Sequence, residues 1–207
     1  MSFSNTSTGD KPADPYKATN KDTDVSLKEK VEALVNFANK SKFGMMTTRD
    51  AKSGALVSRC MAVAATENGG IDLLFHTNTE SHKTDEIDSD PHINISFYNS
   101  SGDWASVSGV SSIVTDRSLV KKHYTSTLKA WLGDLGDGKH DGSENDPRIG
   151  VIRVKTVSAT YAISNANILG KVAQVAEGVV TGSPAHVNKL REISSAEVEQ
   201  YRATASS

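Results

Sequence analysis

Cysteine is nearly absent from this chain: Cys60 stands alone among 207 residues. A single cysteine cannot form an internal disulfide, so the disulfide framework of small secreted domains is excluded. Cys60 lies within an apolar, strand-like run, and this setting favours a small packed residue over a reactive nucleophile.

Long apolar runs and an excess of one charge are missing as well. No run approaches the roughly 18 apolar residues of a membrane span, and residues 1–24 lack the apolar core of a signal peptide. The net charge of −2 provides no attraction toward nucleic acid or an anionic membrane. We therefore expect a cytoplasmic protein that binds neither.

Length and composition predict one folded domain. A chain of 207 residues with 37% hydrophobic residues can build one core of ordinary size, and two cores would be cramped. The polar residues 1–24 are predicted to be a mobile tail. The domain then spans residues 25–203, followed by a short C-terminal tail at 204–207.

Helix and strand signals are mixed along the chain. Ser26 and Glu29 form a capping box before an apolar helical face that ends near Lys40. Further predictions are strands over 43–48, 93–97, 104–114 and 149–161, one helix over 116–132, a strand or irregular segment over 173–180, and a short helix opened by Ser194. The pattern favours an antiparallel barrel with helices around it over alternating βαβ units.

Arg59 occupies an unusual place in a predicted hairpin. Apolar residues from Leu56 to Val63 form its first strand, the turn follows Glu67, and a second apolar run ends at Phe75. A guanidinium inside an apolar strand is costly to bury without an anion or hydrogen-bond acceptors. Arg59 therefore needs a partner.

A polar turn follows the second strand and contains Thr77, Ser81 and Lys83. A short helix is predicted after it, over 84–89. The free N–H groups of a helix N-terminus, two hydroxyls and an ammonium form a plausible cradle for a phosphate that also contacts Arg59. Spacing alone leaves open the alternative that Arg59 pairs with Glu67 or Glu80 while Lys83 is solvated.

The glycine- and aspartate-rich loop at 133–147 matches no nucleotide motif, because it follows a helix and its glycine spacing is wrong. A calcium loop starting at Asp137 is also disfavoured, since Lys139 and Arg148 stand at ligand positions. We expect a mobile surface loop and leave open a role in gating or substrate contact.

Several segments resemble, in order and spacing, the flavin-binding split-barrel proteins related to pyridoxamine 5'-phosphate oxidase. They are SRCMAV, LLFHTN, ESHK, PHINISFY and WASVSGVSSIV. Downstream, HYTSTLKAWL, NDPRIGVIRVKTVSATY and REISSAEVEQYR look most like the general stress protein branch, which includes fungal blue-light-inducible proteins. The resemblance covers about residues 26–203 and implies a mainly β fold with peripheral helices (α+β), an antiparallel FMN-binding split β-barrel.

The resemblance also implies site residues. Arg59 and Lys83 would contact the FMN phosphate, assisted by Ser81 or His82. The backbone of Cys60, Met61 and Ala62 would run beside the flavin ring. Phe75, His76 and Thr77 would line the ring and the ribityl chain. Family pockets form between two protomers, so the resemblance implies a homodimer. Trp104 would then reach the partner subunit's flavin, or alternatively pack within a sheet.

Three departures separate this chain from the oxidases themselves. Ala64 replaces a lysine at the end of the first strand's motif, and Tyr124 is followed by no arginine in the next four residues. The C-terminal Arg-x-His element of the oxidases also has no match. The vitamin's own phosphate would lack its cationic clamp. We expect an FMN-dependent oxidoreductase of unknown substrate, with FAD as a possible replacement for FMN, and no vitamin B6 oxidation. The alternative is a non-catalytic stress or light-response protein that stores or senses flavin.

Overall fold

The structure is a computed structural model that describes residues 14–164 and 168–205. Its strands are β1 (Phe43–Arg49), β2 (Leu56–Glu67), β3 (Asp72–Asn78), β4 (His92–Tyr98), β5 (Trp104–Val114), β6 (Ile149–Ser164) and β7 (Asn188–Ile193). Its helices are α1 (Pro15–Asn20), α2 (Leu27–Ser41), α3 (His82–Ser89), α4 (Arg117–His123), α5 (Thr127–Leu132), α6 (Ile168–Thr181) and α7 (Ser195–Ala205), with a 3-10 turn at Asn68–Gly70.

Six strands close into an antiparallel barrel in the order β3-β2-β1-β4-β5-β6. The long strand β6 makes closure possible, because one of its edges pairs with β5 while the other pairs first with β3 and then with β7. Closure removes the exposed strand edges of an open sheet. The predicted fold, a mainly β split barrel with peripheral helices, is confirmed.

Alternate residues of the strands fill the barrel interior. Phe75, Ile95, Phe97 and Tyr161 are fully or almost fully buried there. The apolar face of α2 packs against this core, and its N-terminus carries the predicted capping box between Ser26 and Glu29. None of the described helices combines the length and apolar composition needed to cross a membrane.

The segment predicted as one helix over 116–132 forms two. Asp116 caps α4 as expected, by accepting a hydrogen bond from the Leu119 N–H. Tyr124 then adopts an extended backbone with φ −57° and ψ 139°, which ends α4, and α5 begins after Ser126. The Tyr124 hydroxyl donates to the Gly142 carbonyl at 3.0 Å, so the break lets this side chain reach the 133–147 loop.

The C-terminal part differs from the sequence prediction at two further places. Residues 173–180 belong to α6, although valines there favour a strand locally. Strand β7 was not predicted; it pairs with β6 from Ala159↔Ile193 to Ser164↔Asn188. The last helix does begin after Ser194, and α7 extends to Ala205, into the predicted C-terminal tail.

The tail prediction fails for residues 14–24. Asp14 caps α1, and the buried side chain of Asn20 accepts a hydrogen bond from the Asn188 N–H at 2.9 Å. Asp22 pairs with Arg191 of β7 at 2.8 Å. These contacts attach the segment to β7. Residues 1–13 lie outside the described part of the chain.

A buried ion pair attaches α7 to the barrel. Arg202 and Asp72 of β3 meet through two hydrogen bonds of 2.6 and 3.0 Å, and both residues are buried. Burial alone would raise the pKa of Asp72. Hydrogen bonds from Arg202, Asn68 and Thr156 outweigh it and hold that pKa below its ordinary value.

Removing this arginine should destabilise the fold. Arg202→Met leaves the Asp72 carboxylate buried without its cation, and we expect a loss of about 3–5 kcal/mol in the free energy of unfolding. Urea unfolding at neutral pH measures it. Lys155→Met removes a cation from the exposed Lys155–Glu199 pair and should cost less than about 1 kcal/mol. Equal effects of the two substitutions would contradict a special role for the buried pair.

Candidate cofactor site

The barrel is split where β2 and β3 separate. Their ladder runs from Glu67↔Asp72 to Val63↔Phe75, with an irregularity between Val63 and Ala65. Beyond Phe75, β3 continues along β6, while β2 continues along β1. Among the described strands, residues 56–62 of β2 therefore have a partner on one side alone, and a slot opens between β2 and the end of β3.

Arg59 lies on the inward face of β2 beside this slot and is held by a buried carboxylate. Its Nη2 donates to Glu86 Oε1 at 2.7 Å, and its Nη1 donates to Thr48 Oγ1 at 2.8 Å. Thr48 in turn donates to Glu86 Oε2 at 2.5 Å. The alternative partners considered from the sequence were wrong, because Glu67 pairs with Arg153 instead. Glu86 of α3 was missed.

Glu86 is one of the most buried charged residues described, with a side chain 1% exposed. The hydrogen bond from Arg59 is the main cause that lowers its pKa, and the Thr48 hydroxyl adds to it. Glu86 therefore remains a carboxylate at neutral pH. Its charge neutralises one face of the guanidinium, while the Arg59 side chain remains 28% exposed.

Lys83 supplies a second cation beside Arg59. Its ammonium donates to the hydroxyls of Thr77, at 2.8 Å, and Ser81, at 3.3 Å. In the described part of the chain, no carboxylate lies within ion-pair distance of it. Burial, followed by the nearby Arg59 charge, lowers the pKa of Lys83. The alternative of a solvated lysine is wrong, since Lys83 is buried.

His82 stands at the start of α3 and faces outward. Its Nε2 lies 3.1 Å from Asp50 Oδ2 in the β1–β2 turn. This contact is the main cause that raises the pKa of His82, with further contributions from Asp85 and Glu86. His82 therefore links the turn to α3 at the rim of the site.

Asp50, His82 and Glu86 bring three potential ligand atoms within 4.8 Å of one another. Each of these three residues already has a hydrogen-bond or ion-pair partner. The Asp50 carboxylate accepts from Ser53 and lies beside His82, and Glu86 accepts from Arg59. We interpret the group as a charge network around the arginine.

The other predicted residues fall on both faces of their strands. Cys60 is exposed, contrary to the packed residue expected, because it points outward from β2. Ala62 is exposed on the same outer face, and Met61 points inward against the core. A ligand in the slot would therefore meet this stretch at its backbone edge.

Side chains alternate between the two faces of β3, so the neighbours Phe75, His76 and Thr77 do not all point the same way. Phe75 is fully buried in the core, and Thr77 is buried at the Lys83 ammonium. His76 points to the opposite face, near the backbone of His123, and burial lowers its pKa. The side chains of Phe75 and His76 are thus turned away from the slot, so contact with a ligand there would come from their backbone.

Trp104 lies on the outer face of the barrel, 37% exposed, in an aromatic row. It pairs across strands with Tyr98, and Phe43 lies on the neighbouring strand β1. Phe43 and Tyr98 are 56% and 72% exposed. Three large aromatic side chains thus line one exposed outer face of the sheet, whose inner face carries core residues.

A cavity of about 390 Å³ lies beside the irregular part of β2. Its lining includes Ala62, Ala64 and Thr66 together with Asn39 and Lys42 from the end of α2. Ala64 brings no charge to this cavity. Lys42 does, held in a left-handed backbone conformation (φ 60°) whose carbonyl accepts from the Val63 N–H.

Relatives of known name support a family assignment. The pattern of the family described as pyridoxamine 5'-phosphate oxidase like matches residues 29–186. The chain is 68% identical over 203 residues to protein bli-3 of Neurospora crassa, a match that covers 98% of this chain and 97% of that protein.

Two solved structures show the same fold. General stress protein 26 from Bacillus anthracis has a TM-score of 0.54 at 22% identity, covering 66% of this chain and 94% of that chain. A pyridoxamine 5'-phosphate oxidase-related, FMN binding protein from Nostoc punctiforme has a TM-score of 0.52 at 11% identity, covering 68% and 85%. From the family pattern and the Neurospora relative, the chain belongs to the pyridoxamine 5'-phosphate oxidase-like family.

Proposed function

We propose that this protein binds FMN, with the phosphate at Arg59 and Lys83. The observation that carries the proposal is the buried Lys83 ammonium, whose described partners are two hydroxyls and no carboxylate. A buried cation without an anion is costly, and a phosphate of roughly two negative charges compensates both cations. The Nostoc relative, an FMN binding protein by name, supports the same ligand.

The donors present suit a phosphate monoester. Two of the five guanidinium N–H groups of Arg59 have partners in the described residues, which leaves three for a ligand. Lys83 adds its ammonium, which the Ser81 hydroxyl helps to hold by accepting from it while donating to the Asn78 carbonyl at 2.7 Å. Charge-assisted hydrogen bonds from such groups are the strong ones in phosphate recognition.

The slot between β2 and β3 suits the flavin ring and ribityl chain. The β2 edge from Ser58 to Ala62 offers backbone N–H and C=O groups, which must find partners wherever they are buried. Planar flavin rings carry matching donors and acceptors along one edge. In this proposal Cys60, Met61 and Ala62 contact the ring by backbone, and His82 lies at the phosphate end. FAD would require further space beyond the phosphate.

Bound FMN would supply the electron chemistry, and the chain would bind, orient and shield it. We therefore propose an FMN-dependent oxidoreductase whose substrate is not a vitamin B6 phosphate. Two features support this restriction: Ala64 brings no cation from β2, and Tyr124 ties the 133–147 loop instead of preceding an arginine. Lys42 places a differently positioned cation at the cavity beside Ala64.

A flavin-binding protein without catalysis is the second candidate. It is favoured by three ionisable side chains described near the slot: His76 faces away, Glu86 is held by Arg59, and His82 lies at the phosphate end beside Asp50. Such a protein would store or sense flavin. Reduction of the bound flavin separates the two candidates.

We further propose a homodimer in which the outer face of β1, β4 and β5 is covered. Phe43, Tyr98 and Trp104 expose a row of aromatic surface there. Contiguous apolar patches on a soluble domain commonly mark interaction surfaces. A second copy seated on this face would bring Trp104 toward the partner subunit's flavin.

Flavin binding is tested by charge removal. Arg59→Ala and Lys83→Ala should each weaken FMN binding by about 1.5–3 kcal/mol, the usual cost of a lost charge-assisted hydrogen bond. Quenching of FMN fluorescence measures the affinity. Arg153→Ala and Lys155→Ala remove the same residue types from β6, outside the site, and should change little. A wild-type protein that leaves micromolar FMN unquenched would contradict the proposal.

Catalysis is tested by reduction. For an oxidoreductase, stopped-flow mixing with NADH or NADPH should bleach the oxidised flavin band of the FMN-loaded protein within seconds, whereas free FMN at the same concentration serves as the control. Absence of bleaching by both nucleotides would favour the storage or sensing candidate.

Assembly is tested by one charge on the aromatic face. Phe43→Glu should convert the dimer to monomer, because a carboxylate would have to lose its water at the covered face. Analytical ultracentrifugation measures the mass. Trp131→Glu is the matched control: Trp131 is 87% exposed, but on α5, which packs over the other side of the barrel. If the Trp131→Glu protein were a monomer while the Phe43→Glu protein remained a dimer, the interface would lie elsewhere.

A further inference from the structure

Glu86 is the residue at the site that the family resemblance does not account for. It is buried, yet its two carboxylate oxygens contact the two groups that hold Arg59 in place: Oε1 accepts from Arg59 and Oε2 accepts from Thr48. Because Thr48 also accepts from Arg59, the three side chains close a ring of hydrogen bonds. A ring of this kind fixes the plane of the guanidinium.

We propose that Glu86 is a positioning residue that holds the Arg59 guanidinium for the flavin phosphate, with Thr48 as the second support. The inference rests on the proposed FMN site. An arginine side chain has many rotamers, and ordering it on binding would reduce affinity. Glu86 holds the Arg59 guanidinium in one orientation before the ligand binds. Two N–H groups are committed to the ring, and the remaining three are free for phosphate oxygens.

Glu86 also sets the charge of the site. Arg59 and Lys83 lie close enough for the arginine charge to lower the pKa of the lysine, and the Glu86 charge opposes this effect. Without the carboxylate, two cations would repel each other at the buried end of the slot. With it, the two cations and the carboxylate together keep a net positive charge, which attracts a phosphate. Glu86 thus allows both cations to remain in place before the ligand arrives.

The neighbouring charges face Glu86 from three elements. Arg59 approaches from β2, Asp50 lies in the β1–β2 turn, and His82 belongs to the same helix, with its Nε2 3.8 Å from Glu86 Oε1. Arg59 makes the short contact, at 2.7 Å. The carboxylate is therefore committed to the arginine, and His82 is secondary.

The test compares the affinities of FMN and riboflavin, which differ by the phosphate alone. Glu86→Ala should weaken FMN binding about tenfold, equal to about 1.4 kcal/mol, and leave riboflavin within about twofold. Glu86→Gln keeps an oxygen that accepts from Arg59 but loses the negative charge, so its FMN affinity should lie between those of Glu86→Ala and wild type. Asp88→Ala, an exposed carboxylate of the same helix, is the control.

A double-substitution cycle shows whether Glu86 acts through the arginine. In an Arg59→Ala background, Glu86→Ala should change FMN affinity by less than about twofold, because no guanidinium remains to be positioned. If Glu86→Ala fails to fold, Thr48→Val removes the other support and should weaken FMN selectively by about threefold.

The inference is overturned if the folded Glu86→Ala or Thr48→Val protein binds FMN as wild type does, or if FMN and riboflavin affinities fall together. It is also overturned if Glu86→Ala retains its full effect without Arg59. In each of these cases wild-type binding of FMN still stands, so the proposed function survives. A wild-type protein that binds riboflavin and FMN equally overturns the phosphate site and this inference together.

Discussion

The partial pairing of β3 is the constraint on which the rest of the structure depends. One edge of β3 is bonded to β6 from Leu73 to Asn78, and this ladder closes the barrel. The other edge meets β2 over a shorter stretch that ends at Phe75. A fully paired barrel would have no opening, and an unpaired β3 would leave the barrel open along its length. The short ladder gives a closed core with one slot in its wall.

The electrostatics of the site follow from that geometry. Because β2 leaves β3, Arg59 reaches the end of the slot and meets α3, which follows β3 directly. A lone arginine there would be a buried unpaired charge, and an arginine fully matched by carboxylates would have no affinity for a phosphate. This site has one buried carboxylate, Glu86, for two cations, Arg59 and Lys83, and so lies between these limits. Glu86 stabilises the empty site and leaves it positive.

The sequence predicted elements whose local signals agree with their surroundings. The capping box of α2 and the alternating residues of β4 required no knowledge of distant contacts. The break at Tyr124 could not be predicted, because it goes with a contact to Gly142, 18 residues away, and α6 has valines that favour a strand when considered alone. In β2, apolar residues occupy both faces, so the pattern did not reveal that Cys60 points outward.

The candidate site also combines residues that local sequence predicts with a residue that only distant contacts reveal. Arg59, Ser81 and Lys83 were predicted because a cation in an apolar strand and a polar turn are each unusual on their own. Glu86 lies 27 residues from Arg59 and sits in an ordinary helical sequence, so only the fold reveals their contact. A charge that needs a partner was a sound signal, but the identity of the partner depended on how α3 packs against β1 and β5.

The two ends of the slot are formed by different parts of the chain, so under the proposed function cofactor binding and substrate choice would be separate. The end formed by β2, β3 and α3 contains Arg59, Lys83 and Glu86, which would hold the proposed phosphate. The other end borders the cavity beside Ala64, where Lys42 arrives from α2. If FMN binds as proposed, changes at Ala64 or Lys42 would alter which molecule reaches the flavin without disturbing the Arg59–Glu86 pair. A family can keep one cofactor on this scaffold while its reactions diverge.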